Sequence, residues 1–401
     1  MFLQFFVLGA TIPILSLYLR EYLHFTGVQI GAVLAMSAVA AFVYPLVGAL
    51  VADRLISARR LYGLCHLAGA LLMVTLSLQD RFLPFLLLYL AYMLICGPTS
   101  ALANVVTFHY LRGERLRFGG IRLWGTLGWI AVAWLFGLWL AGGNGPGGSR
   151  LPDALKLSAL ASTFLGLYAF SLPAIPRRPT GPAGFLPQEA LQVMRRGEVL
   201  LLSGLAFSVS FLDRFYYFGT APFLRQLGFS ETAIMPAMSL GQMTEVFAMG
   251  FLGFLIARFG PQRLLAAGVV MEVGRFALFA AGTSPVWLYA GLCLHGPAFA
   301  FFFATGYILL DSHCDSRSRA GVHQLFAILT SGLGSLGGNL AAGRTFDFFS
   351  AGGRGPIAFQ AFWLVPTVLA CLVLLLAWGY ARLRTTAPDP GKENPAGPGQ
   401  P

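Results

Sequence analysis

Apolar residues along this chain come in long runs, broken by clusters of glycine, proline and charge. The runs lie near residues 2–20, 28–52, 61–78, 83–108, 121–142, 156–174, 199–223, 232–257, 262–282, 285–310, 320–343 and 358–381. Each approaches the roughly 20 residues that an α-helix needs to cross a bilayer core. Lipid offers no partner to an open backbone, so the runs predict helices. The reading is an all-α membrane protein with twelve transmembrane helices. The first run, Phe2 to Leu17, has no basic segment before it and reads as a spanning helix rather than a cleaved leader.

A polar, proline-rich stretch from Pro173 to Glu198 divides the runs into six and six. The expected organisation is an amino-terminal six-helix bundle (1–174), a cytoplasmic linker (175–198), a carboxy-terminal six-helix bundle (199–381) and a disordered cytoplasmic tail (382–401). The tail ends in PDPGKENPAGPGQP, too poor in apolar residues to fold.

Composition agrees with the pattern. Of 401 residues, 57% are hydrophobic and 11% charged, where a soluble domain carries about 25% charge. A water-facing surface cannot be made from so few ionisable groups. The net charge of +11 would point a soluble protein to nucleic acid, but here the basic residues are dispersed among loops and report topology instead. With the amino terminus inside, the inner loops and tail hold seventeen Arg and Lys and the outer loops seven. That asymmetry fits both termini in the cytoplasm, and the expected location is the cell (inner) membrane. The five cysteines form no CxxC and read as packing residues; no metal site and no cofactor is expected.

Candidate chemistry lies in ionisable groups at membrane depth, which are costly unless they line a cavity or pair: Arg122, Asp213, Arg214, Glu245, Glu272 and Arg275. Arg122, Thr126 and Trp129 share a face of the fifth helix, a cation, a hydroxyl and a plane suited to a flat polar ligand; snorkelling to the interface is the competing reading of Arg122. Gln242 and Glu245 fall at i, i+3 in the eighth helix, with Glu245 near the midplane. There it reads as a proton carrier, as an ion-pair partner of Arg275, or as both in turn. Glu272 and Arg275 also suit a pair with each other. Asp213 and Tyr216 share a face near the expected outer end of the seventh helix, where Asp213 and Arg214 also fit as interfacial residues. Phe299 in the tenth helix is either packing or a stacking wall for a base.

Two loop segments repeat weakly, GALVADRLISARR from Gly48 and GFLIARFGPQR from Gly253, at equivalent places in the two halves. Together with FLQFFVLGA at Phe2, PTSALANVVTFHYL at Pro98, IRLWGTLGW at Ile121, SLGQMTEVF around Glu245 and LHGPAFAFFFATG at Leu294, they make a chain that resembles the nucleoside:H+ symporter family of the major facilitator superfamily along nearly its whole length. The resemblance implies that fold, a monomer, and import of nucleosides with protons by alternating access, without nucleic acid as a partner. It implies substrate contacts from Arg122, Thr126, Trp129, Asp213, Tyr216, Gln242, Glu245 and Phe299. Proton coupling would fall to Glu245, Asp213 and Arg275. The sequence departs from the family at Ala300, where relatives carry an acidic residue, and at Gly306-Tyr307, where many carry Gly-Gln. A carrier of sugars or aromatic acids and a non-transporting receptor or scaffold are the competing functions. No HExxH, GxSxG or GxGD motif speaks for an enzyme.

Overall fold

The computed structural model describes residues 1–51, 57–111, 118–143, 149–172, 188–282, 284–315, 317–350 and 355–382. Twelve long helical segments run through them: α1 (Phe2–Tyr22), α2 (Gly27–Val51), α3 (Ala58–Leu76), α4 (Phe82–Tyr110), α5 (Phe118–Ala141), α6 (Asp153–Ser171), α7 (Gly197–Gln226), α8 (Glu231–Phe259), α9 (Pro261–Ala281), α10 (Pro285–Ser312), α11 (Arg319–Phe348) and α12 (Phe359–Arg382). Ten are long and apolar enough by themselves to cross a membrane; α2 and α3 complete the set. The expected tail, most of the linker, Arg54, Arg112, Arg115 and Arg117 lie outside the described residues.

Several helices are interrupted where the sequence removes or crowds a backbone hydrogen bond. Helix α1 breaks at 12–14, around Pro13, and α4 breaks at Gly97–Pro98, because proline has no N–H to donate. A wide π-helical turn follows Pro297 at Ala300–Ala304 in α10, and another spans Ile328–Gly334 in α11. Such turns inside spanning helices are tolerated where protein, not lipid, surrounds them. The polar linker also holds a short helix, Gln188–Met194, which buries Ala190 and Val193 and packs on the start of α11. The sequence reading had no helix there, since seven residues are too few for a visible period.

Helices α1–α6 precede the linker and α7–α12 follow it, and the two groups meet along α2–α11 and α5–α8. Glycines permit the closest of these approaches. A Cβ on Gly31 would strike the carbonyl of Asn339, and one on Gly137 the carbonyl of Thr232. Successive helices run in opposite directions, so Tyr22, Gly27, Gln226, Glu231 and Phe348 lie at one end. We call this the far end, because it is opposite Phe2 and Arg382. Hydrogen bonds join the groups toward it: Ser16 Oγ to Tyr217 O (3.5 Å), Arg20 to Gly355 O (3.0 Å), Ser149 Oγ to Glu231 (3.1 Å), and the amides of Gly27 and Val28 to Asp347.

Candidate functional site

Helix α5 carries Arg122, Thr126 and Trp129 on one face, all three half-buried. It lies so close to α1 that a Cβ on Gly9 would come within 3.1 Å of the Trp129 indole. The Arg122 guanidinium sits over the Phe5 ring, 4.0 Å from its centroid, an arrangement that holds a cation against an apolar surface. Arg122 and Glu245 of α8 each lie in the other's electrostatic field. An arginine of one helix group is therefore within electrostatic reach of an acid of the other.

Glu245 is half-buried, and Gln242 one turn earlier is buried. The Gln242 side-chain oxygen has no hydrogen-bond partner among the described residues. A buried amide with an open position is costly until something fills it. Helix α10 packs closely against this part of α8. Gly241 and Gly296 bring the backbones of α8 and α10 together, and Thr244 Oγ1 donates to Cys293 O at 2.8 Å.

A second group of charges lies within the carboxy-terminal helices. Arg275 of α9 is fully buried. It forms an ion pair with Glu272 one turn away, lies 3.6 Å from Asp213 of α7, and reaches His295 Nδ1 of α10. Asp213 pairs in addition with its neighbour Arg214. Two carboxylates and two guanidiniums so nearly cancel, which is what burial of charge requires. Tyr216 stacks on His295 with ring centroids 4.4 Å apart, and the Arg275 guanidinium lies over the Tyr216 ring at 4.4 Å from its centroid.

Set against the sequence reading, Arg122, Thr126, Trp129, Gln242 and Glu245 stand on the two facing helices α5 and α8. Asp213, Tyr216 and Arg275 belong to the charge cluster behind them. Two expectations are corrected. Asp213 is not near the end of its helix but mid-span, because α7 is 30 residues long, extending beyond the apolar run at both ends. Arg275 does not pair with Glu245; Glu272, Asp213 and His295 take it. Phe299 is 40% exposed and its ring meets that of Phe303, while Ala300 is buried at the start of the π turn.

The structure adds groups the sequence reading passed over. In the amino-terminal helices, Gln4, Tyr62, His66, Thr99 and Ser162 make one buried network. Tyr62 Oη donates to Gln4 Oε1 (2.7 Å), Gln4 Nε2 donates to Thr99 (3.1 Å), and His66 lies between Gln4 (3.0 Å) and Ser162 (2.8 Å). A glutamine inside the first apolar run was the available signal. Tyr217, in contact with His295, was hidden because one tyrosine among many aromatics carries no pattern. Among the described residues, no three His, Cys, Asp or Glu side chains come together as a metal would need.

Comparison with known proteins decides the family. A family model described as "Nucleoside H+ symporter" matches residues 1–383. The chain belongs to the nucleoside:H+ symporter family. Among members with a described role, it is 31% identical over 346 residues to the putative nucleoside transporter YegT of Escherichia coli K12, covering 84% of this chain and 80% of that one. It is 29% identical over 393 residues to the xanthosine permease of the same organism, covering 91% and 90%. The crystal structure of nucleoside transporter NupG superposes with a TM-score of 0.84 at 24% identity, over 96% of this chain and 97% of that one. A bacterial homologue of the lysosomal transporter Spinster superposes with a TM-score of 0.77 at 15% identity, over 95% and 94%. The chain thus shares its fold with these transporters.

Proposed function

We propose that this member of the family imports nucleosides into the cytoplasm together with protons, by alternating access to a chamber between residues 1–174 and 199–381. Both termini are cytoplasmic in this reading, so the far end faces outward. The seam described above then belongs to a state closed on the outside. The chain acts as a monomer in the inner membrane and as a transporter, not an enzyme.

One observation carries the proposal: Arg122 on α5 and Glu245 on α8, from opposite helix groups, lie within electrostatic reach of each other. A carboxylate in lipid-depth surroundings is stable when it is neutralised, by a proton or by a cation. Glu245 has both ways open. Protonated, it releases Arg122 to the substrate; deprotonated, it holds Arg122. The two loads thereby become linked, which is what a symporter requires. Thr126, Trp129 and Gln242 supply a hydroxyl, a stacking plane and an unfilled buried amide beside this pair. Asp213 and Arg275 act from behind as the charge reserve of the carboxy-terminal group. Phe299 serves as a wall that reaches the chamber when the helices rock.

The test is uptake of radiolabelled uridine and adenosine into proteoliposomes, with and without an inward proton gradient. Accumulation above equilibrium only with the gradient supports the proposal. Equal uptake in both conditions would show a facilitator, and no uptake of either nucleoside would remove the nucleoside reading.

A further inference from the structure

His295 is held at both ring nitrogens, and the two contacts fix where its proton lies. Arg275 reaches Nδ1 at 2.5 Å, and a guanidinium has only donors, so Nδ1 must accept. A neutral imidazole with a bare Nδ1 carries its hydrogen on Nε2. The partner of Nε2 is the hydroxyl of Tyr217 at 3.4 Å. His295 therefore donates and the Tyr217 oxygen accepts, which leaves the hydroxyl's own proton to point elsewhere.

Tyr217 is placed to use that proton. It is half-buried where the two helix groups meet, since Ser16 of α1 bonds to its carbonyl. Glu245 and Asp213 both act on it electrostatically. The guanidinium of Arg214 lies over its ring, 5.1 Å from the centroid. The imidazole itself cannot turn away: it stacks on Tyr216, and Gly241 is the only residue small enough for the backbone facing it, because a Cβ there would press on the imidazole at 2.9 Å. Among the described residues His295 is the hydrogen-bond partner of the Tyr217 hydroxyl, so its donor side is open to a ligand.

We propose that Tyr217 is a specificity-determining donor of the substrate chamber, positioned by His295, and that the pair selects nucleosides presenting a base carbonyl over those presenting an amino group at the same place. The inference rests on the nucleoside reading above and deepens it. An amino group offered to a fixed donor sets two hydrogens against each other and leaves both unpaired, whereas a carbonyl oxygen accepts.

Uridine and cytidine differ at one such position and make the probe. Purified full-length protein in proteoliposomes takes up labelled uridine while unlabelled uridine or cytidine competes. The wild type is expected to prefer uridine by about tenfold, the size of one buried hydrogen bond with its unpaired alternative. Tyr217→Phe should bring the ratio to within about twofold. His295→Met should do the same with Tyr217 still present, and His295→Gln should restore the preference, because its amide oxygen accepts from Arg275 while its N–H donates to Tyr217. The two His295 variants carry the test if Tyr217→Phe fails to fold. A wild type indifferent between the two nucleosides, or a Tyr217→Phe protein with the wild-type ratio, overturns the proposal. A His295→Met protein that keeps the ratio, or a His295→Gln protein that loses it, overturns the positioning role. Uptake of neither nucleoside by the wild type would instead strike the nucleoside reading.

Discussion

The carboxylate of Asp347, in the last turn of α11, accepts hydrogen bonds from the backbone amides of Gly27 (2.6 Å) and Val28 (2.8 Å) at the start of α2. The amides that open a helix have no partner inside it, and the helix dipole adds positive potential there. Thr26 and Gln29 satisfy others by exchanging hydrogen bonds in a capping box. Asp347 thus caps a helix of the opposite group. In the proposed transport cycle, opening of the far end has to break these bonds.

Removing this carboxylate should favour the outward-open state. Hydrogen bonds to a charged acceptor contribute about 1.5–3 kcal/mol each when protected, less where water competes, so Asp347→Ala is expected to shift the balance of states by about tenfold. The measurement is thiol labelling of a cysteine placed at Ser16, on the seam, in a protein lacking its own five cysteines. Labelling from outside should quicken in Asp347→Ala. Unchanged labelling would mean that the Gly31 and Gly137 contacts close the far end without it.

Glu245→Gln keeps the shape of the side chain and removes its ionisation. Uphill uptake should be lost, while exchange of labelled for unlabelled nucleoside across a membrane without a gradient should persist. Full accumulation by this variant would take the coupling role away from Glu245.

Arg275 neutralises two buried acids at once, so Arg275→Met leaves Glu272 without its partner in an apolar setting. Breaking a buried pair from one side costs about 3–5 kcal/mol, while replacing both members is often close to neutral. Thermal unfolding in detergent should show a large loss in Arg275→Met and recovery of most of it in the Glu272→Met, Arg275→Met double variant. Asp213 keeps Arg214 in both proteins. Equal losses in the single and double variants would refute the pairing.

How far could these relations be read from the sequence alone? The spanning helices could, because twenty apolar residues in a row have one stable form in lipid. The nearness of Arg122 and Glu245 could not, since the sequence offers Glu245 a proton or Arg275 and leaves Arg122 to a ligand or the interface. The partner of Arg275 could not be chosen: Glu272 and Glu245 both suit it in the sequence, and only tertiary packing selects Glu272 and adds Asp213. Asp347 was wholly illegible, because its partners are backbone amides that every residue has. The same holds for Tyr217, whose meaning depends on the proton of a histidine in another helix.

Asp315, in the loop before α11, provides a pH-dependent feature outside the membrane. Its Oδ1 accepts from the amides of Ser318 (2.7 Å) and Arg317 (3.0 Å). The hydrogen bond from the Ser318 amide is the main cause that holds its carboxyl below the ordinary range. An acid depressed in the folded state contributes its stabilisation above its unfolded pKa, near 3.9, and loses it as pH falls through the lower folded value. The turn should therefore keep its full stabilisation from neutral pH down to about 4 and loosen progressively below it, as pH falls toward the lower folded value. Hydrogen exchange at the Ser318 amide, corrected for intrinsic rates, should show that onset in the wild type and none in Asp315→Asn.

The approach of α8 to α10 gives the most exacting substitution. A Cβ on Gly296 would collide with the amide nitrogen of Glu245 and the carbonyl of Gly241, which are backbone atoms and cannot swing aside. Gly296→Ala must push the two helices apart, at a cost of about 1–3 kcal/mol for overpacking. Such separation also strains the Thr244 to Cys293 hydrogen bond and moves Glu245 relative to Arg122. The expected result is a protein that still folds in detergent, with a lowered melting temperature, and that has lost gradient-driven uptake far beyond what its stability explains. Gly274→Ala is the control, since its Cβ would meet one flexible leucine tip at 3.2 Å. If Gly296→Ala transports as well as Gly274→Ala, the geometry of Glu245 is not what coupling depends on.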